Sequence, residues 1–291
     1  KMDRENASFP GTLENLNTKF DATFVPICIP IGEAAGFKGV VDIVEMKAYL
    51  GADGKATDIP AEAQDAADEA RMAMMEYAAE VDDELMLKYL DGEELTDDEI
   101  RTALMTGSLE GRFVLVLAGS GLTNQGLIPL LNAMTNYLPS PVQAPRTVVN
   151  VATGEDVVLE ASSSGPLVVQ VFKTMADPFV GRLSYFRVYS GKLNGDSRVY
   201  NVNREEEERV GQVYSVRGRE QKPIESVEAG DIGVVTKLSI TTTNDTLCDR
   251  GQPYRVPAVE YPEPLFSVAI FPSTKADLDK LGSSLSRLVE E

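Results

Sequence analysis

The hydrophobic periodicity of this 291-residue sequence changes at one proline-rich segment, PSPVQAPR, residues 139–146. Before this segment, apolar residues recur at three- and four-residue spacing over long stretches, which predicts amphipathic helices. After it, short Val-, Tyr- and Phe-rich runs follow one another closely, separated by turn dipeptides such as Asp177-Pro178 and Asn194-Gly195. This second pattern is typical of an antiparallel β-barrel or sandwich. The sequence therefore predicts a domain boundary at residues 139–146.

Before the linker, the strongest pattern is a strand followed by a loop and a helix. The continuous apolar run in residues 111–122, GRFVLVLAGSGL, predicts a buried strand that leads directly into a glycine- and serine-rich loop. Residues 123–138 then repeat Leu and Met at helical spacing. This order is that of an α/β domain, in which loops at the carboxyl ends of the strands bind ligands.

Two further stretches complete the predicted α/β part. Residues 24–50 contain Val- and Ile-rich runs bounded by Pro and Gly, which predict strands. The Ala- and Glu-rich residues 60–90 predict one helical tract. The segment Thr96-Asp-Asp-Glu99 has the residues of a capping box, so we expect a second helix that runs through Met105 and ends at Gly107.

Composition excludes several kinds of chemistry. The chain contains no His, which removes Ser-His-Asp and Cys-His catalysis and the commonest metal ligand. Cys28 and Cys248 lie far apart without CxxC spacing, and we expect reduced, buried thiols in a cytoplasmic protein. No apolar run approaches the roughly 20 residues that a membrane-spanning helix needs, so we expect no membrane contact. The net charge of −19 disfavours extensive nucleic-acid binding, so any RNA contact is expected to be local.

Two short motifs, distant in sequence, have the residue types of a guanine-binding pocket. Lys1-Met2-Asp3 fits the last three positions of the Asn-Lys-x-Asp motif of guanine-nucleotide-binding proteins. An Asp carboxylate accepts hydrogen bonds from both N–H groups on the Watson–Crick edge of guanine, which adenine lacks. The Lys stem would lie across the face of the purine. Alone, this tripeptide is equally compatible with a solvated charged segment.

The second motif is GSGLTNQG, residues 119–126, which resembles the Gly-Ser-Ala-x-x-Asn-x-Gly loop of translational GTPases. Gly121 stands where Ala is usual in that loop. The resemblance implies that a backbone N–H of Ser120 or Gly121 meets the guanine carbonyl. An ordinary strand-to-helix glycine turn is the alternative interpretation of this segment.

The order of the remaining segments resembles the elongation factor G family along essentially the whole chain. Residues 24–110 occupy the position of the small α/β insert that this family carries between the two guanine motifs. Residues 172–201 and VEAGDIGVV, residues 227–235, are similar to the family's domain II barrel. Residues 262–291 resemble the first strand and helix of its domain III.

This resemblance implies a multidomain architecture that combines α/β and all-β parts. Residues 1–140 would be the carboxyl-terminal part of a P-loop-type GTPase domain, with its α/β insert at about residues 24–110. Residues 141–262 would form an antiparallel β-barrel, domain II. Residues 263–291 would supply the first strand and helix of an α+β domain.

The resemblance also implies a function for the full-length protein. It would be a cytoplasmic, monomeric GTP hydrolase that promotes ribosomal translocation of tRNA and mRNA and binds GTP or GDP with Mg²⁺. Lys1, Asp3, Ser120 and Gly121 would contact the nucleotide, and no catalytic residue or metal ligand is assigned to this chain. Domain II would contact small-subunit rRNA, and the insert would face a ribosomal stalk protein.

The motif order further implies which parts of that machinery this chain lacks. The phosphate-binding loop GxxxxGK[ST] does not occur in the 291 residues, and the family layout places it and the switch regions before Lys1. We expect Asn immediately before Lys1. The chain alone is expected neither to hydrolyse GTP nor to bind it tightly, because the phosphate site is missing.

Three alternatives remain open from the sequence. The protein could be a ribosomal-protection or release-type relative, a second-copy elongation factor on the same scaffold, or a non-enzymatic β-barrel binding module. Glu205–Glu208 stand where relatives commonly carry Lys or Arg, which fits either a solvated loop or an altered ribosome contact. Five arginines interleave with aromatic residues after the linker, as expected of an RNA-binding face or of an ordinary half-exposed sheet. They are Arg182, Arg187, Arg198, Arg217 and Arg219.

Overall fold

The computed structural model describes residues 1–177 and 181–290. These residues form two units, Lys1–Pro139 and Ser140–Glu291, and each is described by itself. The turn predicted at Asp177-Pro178 falls partly outside the described residues. No described helix combines the length and the apolar composition needed to span a membrane.

The first unit mixes helices with two small sheets. Its elements are α1 (Phe9–Lys19), β1 (Thr23–Pro26), β2 (Cys28–Ile31), β3 (Gly39–Asp42), β4 (Lys47–Leu50), β5 (Ala56–Thr57), α2 (Ala61–Ala79), α3 (Asp83–Leu90), α4 (Asp97–Leu109), β6 (Phe113–Val116) and α5 (Leu127–Tyr137). Strands β1 and β6 pair in parallel, whereas β2, β3, β4 and β5 form an antiparallel sheet in that order. The unit therefore has the α/β composition that the sequence predicted.

An apolar core joins the helices of this unit to both sheets. Val25 of β1, Val41 of β3, Met74 of α2 and Leu104 of α4 are all almost completely buried in it. Helices α2 and α4 are thereby held against the strands, as their three- and four-residue apolar spacing requires. Both Cys28 and, in the second unit, Cys248 are free and buried, as predicted.

The predicted helical tract of residues 60–90 is two helices, α2 and α3. The break occurs because the Asp82 carboxylate accepts hydrogen bonds from the backbone N–H groups of Glu84 and Leu85 and so caps a new helix. The capping box at Thr96 and Glu99 forms as predicted. Helix α4, however, continues past Gly107 to Leu109, so the predicted end at Gly107 was wrong.

Packing explains why Gly107 lies inside a helix rather than after it. A Cβ at this position would lie 2.4 Å from Cζ of the Phe113 ring, so only glycine lets β6 approach α4 this closely. Helix α1 was not predicted at all, because none of its residues is buried and its apolar pattern is weak. Its start is set by Ser8, whose Oγ accepts from the Gly11 N–H.

The second unit is built almost entirely of strands. Its elements are β7 (Arg146–Asn150), β8 (Asp156–Leu159), β9 (Val168–Asp177), β10 (Gly181–Ser190), β11 (Lys192–Asn194), β12 (Arg198–Asn201), β13 (Glu206–Arg209), β14 (Val213–Arg217), β15 (Glu220–Ile224), β16 (Ser226–Glu228), β17 (Ile232–Thr236), β18 (Thr246–Cys248), β19 (Tyr254–Arg255) and α6 (Lys275–Glu290). Eight strands form one antiparallel sheet in the order β13-β12-β18-β9-β10-β17-β14-β15. Strands β19, β7 and β8 form a separate three-stranded sheet, and β11 pairs with β16.

The eight-stranded sheet curves around one apolar core. Val171 of β9, Phe186 of β10, Val199 of β12, Val213 of β14 and Leu247 of β18 all share this core, although their strands are spread across the sheet. A flat sheet cannot bring its two ends to the same core, so strong coiling is required. This large antiparallel sheet agrees with the predicted β-rich domain, and its closure into a barrel stays a prediction.

The strand predicted in residues 265–272 is not formed. Leu265, Phe266 and Phe271 are 98%, 85% and 82% exposed, and this segment pairs with no strand among the described residues. An extended segment gains ladder hydrogen bonds and side-chain packing only from a neighbour, which the described residues do not provide. The helix predicted after it is present as α6. The assignment of residues 263–291 to a third domain stays a prediction.

The acidic run Glu205–Glu208 is not a uniformly solvated loop. Glu206, Glu207 and Glu208 lie in strand β13, and the carboxylate of Glu208 is buried. It accepts five hydrogen bonds, and the donors are the N–H and Oγ of Ser239, the N–H of Ile240, and the N–H and Oγ1 of Thr241. Glu208 therefore ties the loop after β17 to β13.

Removing the charge of Glu208 should destabilise the second unit. Burial raises the pKa of this carboxyl, but the hydrogen bonds from Thr241, Ile240 and Ser239 outweigh burial and leave the pKa below its usual value. Hydrogen bonds to a charged group contribute about 1.5–3 kcal/mol each, so Glu208→Gln should lower the free energy of unfolding by about 2–3 kcal/mol at pH 7. Urea denaturation measures this quantity.

The exposed neighbour Glu206 offers a matched control for this variant. Glu206→Gln removes the same charge from the same strand and should change the free energy of unfolding by less than about 0.5 kcal/mol. Because the folded pKa of Glu208 is depressed, its contribution is present above the unfolded pKa of about 4.3 and disappears as pH falls through the folded value. Equal stability of both variants at pH 7 would contradict the assigned role.

Candidate guanine-binding site

The two predicted guanine motifs meet at the carboxyl end of strand β6. Beyond β6 the chain continues to Gly119, whose carbonyl accepts hydrogen bonds from the backbone nitrogens of Lys1 and Met2 at 2.9 and 3.1 Å. The Met2 side chain is buried among Phe37, Val40 and Ala118, among others. Backbone pairing and this buried side chain together hold residues 1–3 against the loop.

A side-chain hydrogen bond links the two motifs directly. The Ser120 hydroxyl donates to Oδ1 of Asp3 at 2.5 Å, across 117 residues of sequence. The same Ser120 oxygen accepts from the N–H of Thr123 at 3.2 Å, which orients the hydroxyl toward Asp3. This hydrogen bond is the main cause that lowers the pKa of Asp3 below its usual value, so the carboxyl is ionised at neutral pH.

The loop of residues 119–126 is closed by its own backbone. The Ser120 N–H donates to the Gln125 carbonyl at 2.9 Å, and the Gln125 side-chain amide donates to the carbonyl of Lys38 at 3.2 Å. Gly126 takes a φ of +79°, and a Cβ there would lie 2.7 Å from the carbonyl oxygen of Ala118. Gly126 is therefore needed both for its left-handed conformation and for the close approach to Ala118.

The structure distinguishes the two backbone donors that the sequence could not separate. The N–H of Ser120 is already bonded within the loop, whereas the N–H of Gly121 donates to no acceptor in the described part of the chain. Gly121 is exposed, and a Cβ at this position would meet no atom within 4 Å. The motif is thus divided between Ser120, which builds the site, and Gly121, which is the available donor for a carbonyl ligand.

The four predicted nucleotide-binding residues lie at one place, with different exposures. Asp3 and Ser120 are in contact, Gly121 follows Ser120 in the loop, and the side chain of Lys1 is exposed. Sequence reasoning missed the side-chain bond between Ser120 and Asp3 because it assigned only backbone groups to the loop. The Ser at the second position of the loop is the sequence feature that could have predicted this side-chain hydrogen bond.

A cavity of about 660 Å³ opens beside the same segment but is not the predicted purine site. Its lining includes Lys1, Arg4 and Gly119 but neither Asp3 nor Ser120. The described residues also contain no group of three or more His, Cys, Asp or Glu side chains arranged to hold a metal ion.

Comparison with known proteins agrees with the predicted β-rich domain after the linker. Residues 166–250 match the family model described as elongation factor G domain 2, and this range contains strands β9 to β18. The whole chain is similar to a crystal structure of a Thermus thermophilus protein, with 28% sequence identity and a TM-score of 0.80. Both comparisons support a resemblance to the elongation factor G family of translational GTPases.

The similar Thermus thermophilus protein is much longer than this chain, which limits the properties that can be inferred for the chain. The match to the Thermus thermophilus structure covers all of this chain but only 42% of the other. The chain therefore spans less than half the length of that relative. The two comparisons support a translational elongation factor scaffold, and the activity and partners of the whole protein are proposals.

Two glycines of the loop should respond differently to the same added methyl group. Gly126→Ala puts an L-residue into the left-handed region against the Ala118 carbonyl, and it should lower the free energy of unfolding by at least about 1–2 kcal/mol. Gly121→Ala adds a methyl group in open space and should leave stability unchanged or raise it by about 0.4–1 kcal/mol. Thermal unfolding of both variants tests this difference, and equal destabilisation would contradict the described loop geometry.

Proposed function

We propose that the full-length protein is a cytoplasmic GTP hydrolase that promotes ribosomal translocation of tRNA and mRNA. In it, this chain supplies the contacts to the guanine base of GTP and GDP. The observation that carries the proposal is the direct hydrogen bond between Ser120 and Asp3, in a chain that is similar to the elongation factor G family. It brings together the two motifs from which the family's guanine pocket is built.

The geometry leaves enough hydrogen-bonding capacity for guanine at Asp3. An ionised carboxylate has about four acceptor positions, and Ser120 uses one of them on Oδ1. The remaining positions suffice for the two N–H groups on the Watson–Crick edge of guanine. The Gly121 N–H would donate to the guanine carbonyl, and the stem of Lys1 would cover the face of the purine.

In this proposal the chain selects the nucleotide and leaves hydrolysis to other parts of the protein. Mg²⁺ would bind with the phosphates at the phosphate loop, which is absent from these 291 residues. Asp3 discriminates because a base without the paired donors leaves a desolvated carboxylate with fewer bonds than water provides.

We propose that the two units contact different surfaces of the ribosome. The proposed insert, residues 24–110, contains 6 Lys and Arg against 21 Asp and Glu, which supports docking of a protein surface of opposite charge, the proposed stalk contact. The proposed domain II contacts small-subunit rRNA. We further propose that the protein acts as a monomer.

Titration of the full-length protein with GTP, with and without ribosomes, tests this function. We expect GTP binding with slow hydrolysis alone and strong stimulation by ribosomes. A protein that binds GTP but shows no ribosome-stimulated hydrolysis would contradict the translocase proposal. Hydrolysis without tRNA movement would point to a ribosomal-protection or release-type relative, and absence of nucleotide binding would point to a β-barrel binding module.

Replacing Asp3 should change which purine nucleotide the protein prefers. In Asp3→Asn the side-chain oxygen still accepts from N1–H, but its amide now donates, which suits the second carbonyl of xanthine and not the amino group of guanine. We expect GTP affinity to fall by about 100-fold or more and XTP affinity to exceed that for GTP, since mismatched polar groups are strongly disfavoured.

Asp21 provides the control for this exchange. It is exposed and takes part in none of the hydrogen bonds or ion pairs of the described residues, so Asp21→Asn should keep the GTP preference. Competition between labelled GTP and XTP gives the affinity ratio for each variant. If Asp3→Asn retained full GTP selectivity, Asp3 would not be the base-reading residue.

A further inference from the structure

Two arginines of the second unit lie around one tyrosine ring. The guanidinium carbon of Arg187 is 5.7 Å from the centroid of the Tyr189 ring, and that of Arg146 is 5.9 Å from the same centroid. Both distances are within the range of cation–π contacts. The two guanidinium groups therefore lie no more than about 12 Å apart, since both are close to one ring.

The ring that holds the arginines is itself firmly anchored. The Tyr189 hydroxyl donates to Oε1 of the buried Gln170 at 3.3 Å. Tyr189 also packs against an apolar cluster that contains Val148 of β7. Arg146 lies two residues before Val148 on β7, so strand alternation puts these two side chains on one face. The contact between Arg187 and the Tyr189 ring places the Arg187 side chain on the same side of β10 as Tyr189.

Neither arginine forms an ion pair within the described residues. Among the described residues no carboxylate lies within 4 Å of either guanidinium, although other arginines of this unit, such as Arg204 and Arg217, form ion pairs. The Nε of Arg187 is buried and has no hydrogen-bond acceptor in the described residues. The contact with the Tyr189 ring, rather than an ion pair, holds this charge in place, and the terminal N–H groups of Arg187 form no hydrogen bond in the described residues.

The lack of an acidic partner among the described residues is informative because acidic residues are abundant in the chain. Residues 1–139 contain 10 Lys and Arg against 25 Asp and Glu, whereas residues 140–291 contain 17 against 21. The second unit thus carries little of the net charge of −19. A locally positive face is therefore more compatible with this unit than with the first.

We propose that Arg146 and Arg187, stacked around Tyr189, form a contact site for backbone phosphates of RNA. This inference deepens the proposed small-subunit contact and rests on the proposed function. Guanidinium groups bind phosphate oxygens through paired, planar N–H donors, and prior stacking reduces the freedom lost on binding. A protein surface is the less suitable partner, because phosphates repeat every few ångströms along RNA and can engage both cations at once.

Of the five arginines that interleave with aromatic residues in the sequence, only Arg187 belongs to this site. Arg217 is paired with Glu220, and neither Arg182, Arg198 nor Arg219 stacks on an aromatic ring in the described residues. Arg146, which the sequence pattern did not single out, is the second member. The two arginines come together only because β7, in the three-stranded sheet, lies close to Tyr189 of β10 in the eight-stranded sheet.

Binding of the GTP-loaded full-length protein to small ribosomal subunits, measured at several salt concentrations, tests the site. Each phosphate contact contributes about 0.7–0.9 to the slope of log affinity against log salt and about five- to tenfold in affinity near 0.1 M salt. Arg146→Ala should show a loss of this size. The Arg146→Ala/Arg187→Ala pair should bind about 25- to 100-fold more weakly, with a slope smaller by about 1.5.

Arg255 is the matched control. It is exposed on β19 and stands opposite Val149, so it points away from the face of Val148 and Tyr189. Arg255→Ala should bind subunits with wild-type affinity and slope. Because Arg146 is exposed, Arg146→Ala should also keep the wild-type melting temperature, so its effect on binding would not reflect unfolding.

The possible outcomes distinguish failure of the proposed RNA-contact site from failure of the proposed function on which it rests. If the wild-type protein binds subunits and both Arg146→Ala and the double variant bind them equally well with the same slope, the site is overturned while the proposed function stands. If the double variant melts earlier but binds normally, the arginines only join the two sheets, and the site is likewise overturned. If the wild-type protein binds no subunits, the proposed function itself fails.

Discussion

The parallel pairing of β1 with β6 is the constraint on which the candidate site depends. Its register runs from Thr23 opposite Phe113 to Pro26 opposite Val116, and the Ile27 N–H extends it to the Val116 carbonyl. Closing a loop of 117 residues costs on the order of 4 kcal/mol, more than one hydrogen bond between Asp3 and Ser120 returns. The β1–β6 strand pair and the apolar core around Val25 must therefore hold the two motifs together. The hydrogen bond between Ser120 and Asp3 is a consequence of that packing.

Two charged side chains of the second unit, one buried and one partly buried, have opposite consequences. Glu208 belongs to an acidic run, but its carboxylate is fully supplied with donors and joins β13 to residues 239–241. Arg187 is held by an aromatic ring and lacks an ion-pair partner among the described residues. The first arrangement satisfies a charge internally and stabilises the fold. The contact of Arg187 with an aromatic ring leaves its charge available to an external ligand. The inferred RNA contact therefore involves Arg187 and not the acidic run.

The sequence by itself determined the type of most elements and the division of the chain by hydrophobic period. The helix start at Thr96 and the strand-rich part after residue 146 follow from local rules, because capping and alternation depend on residues a few positions apart. The two guanine motifs were also identifiable, since their residue types are imposed by the chemistry of the base. Asp82 is a residue type that commonly caps helices, but the helical composition on both sides of it predicted one continuous helix.

Only the tertiary structure decided the features that depend on distant neighbours. Gly107 stays inside α4 because of the Phe113 ring, and Glu208 is buried because residues 239–241 surround it. Residues 265–272 have the composition of a strand but no partner to pair with among the described residues. Arg146 joins Arg187 only because two sheets meet at Tyr189. Local sequence sets what a segment can form, whereas packing and pairing across the chain decide which of those possibilities is realised.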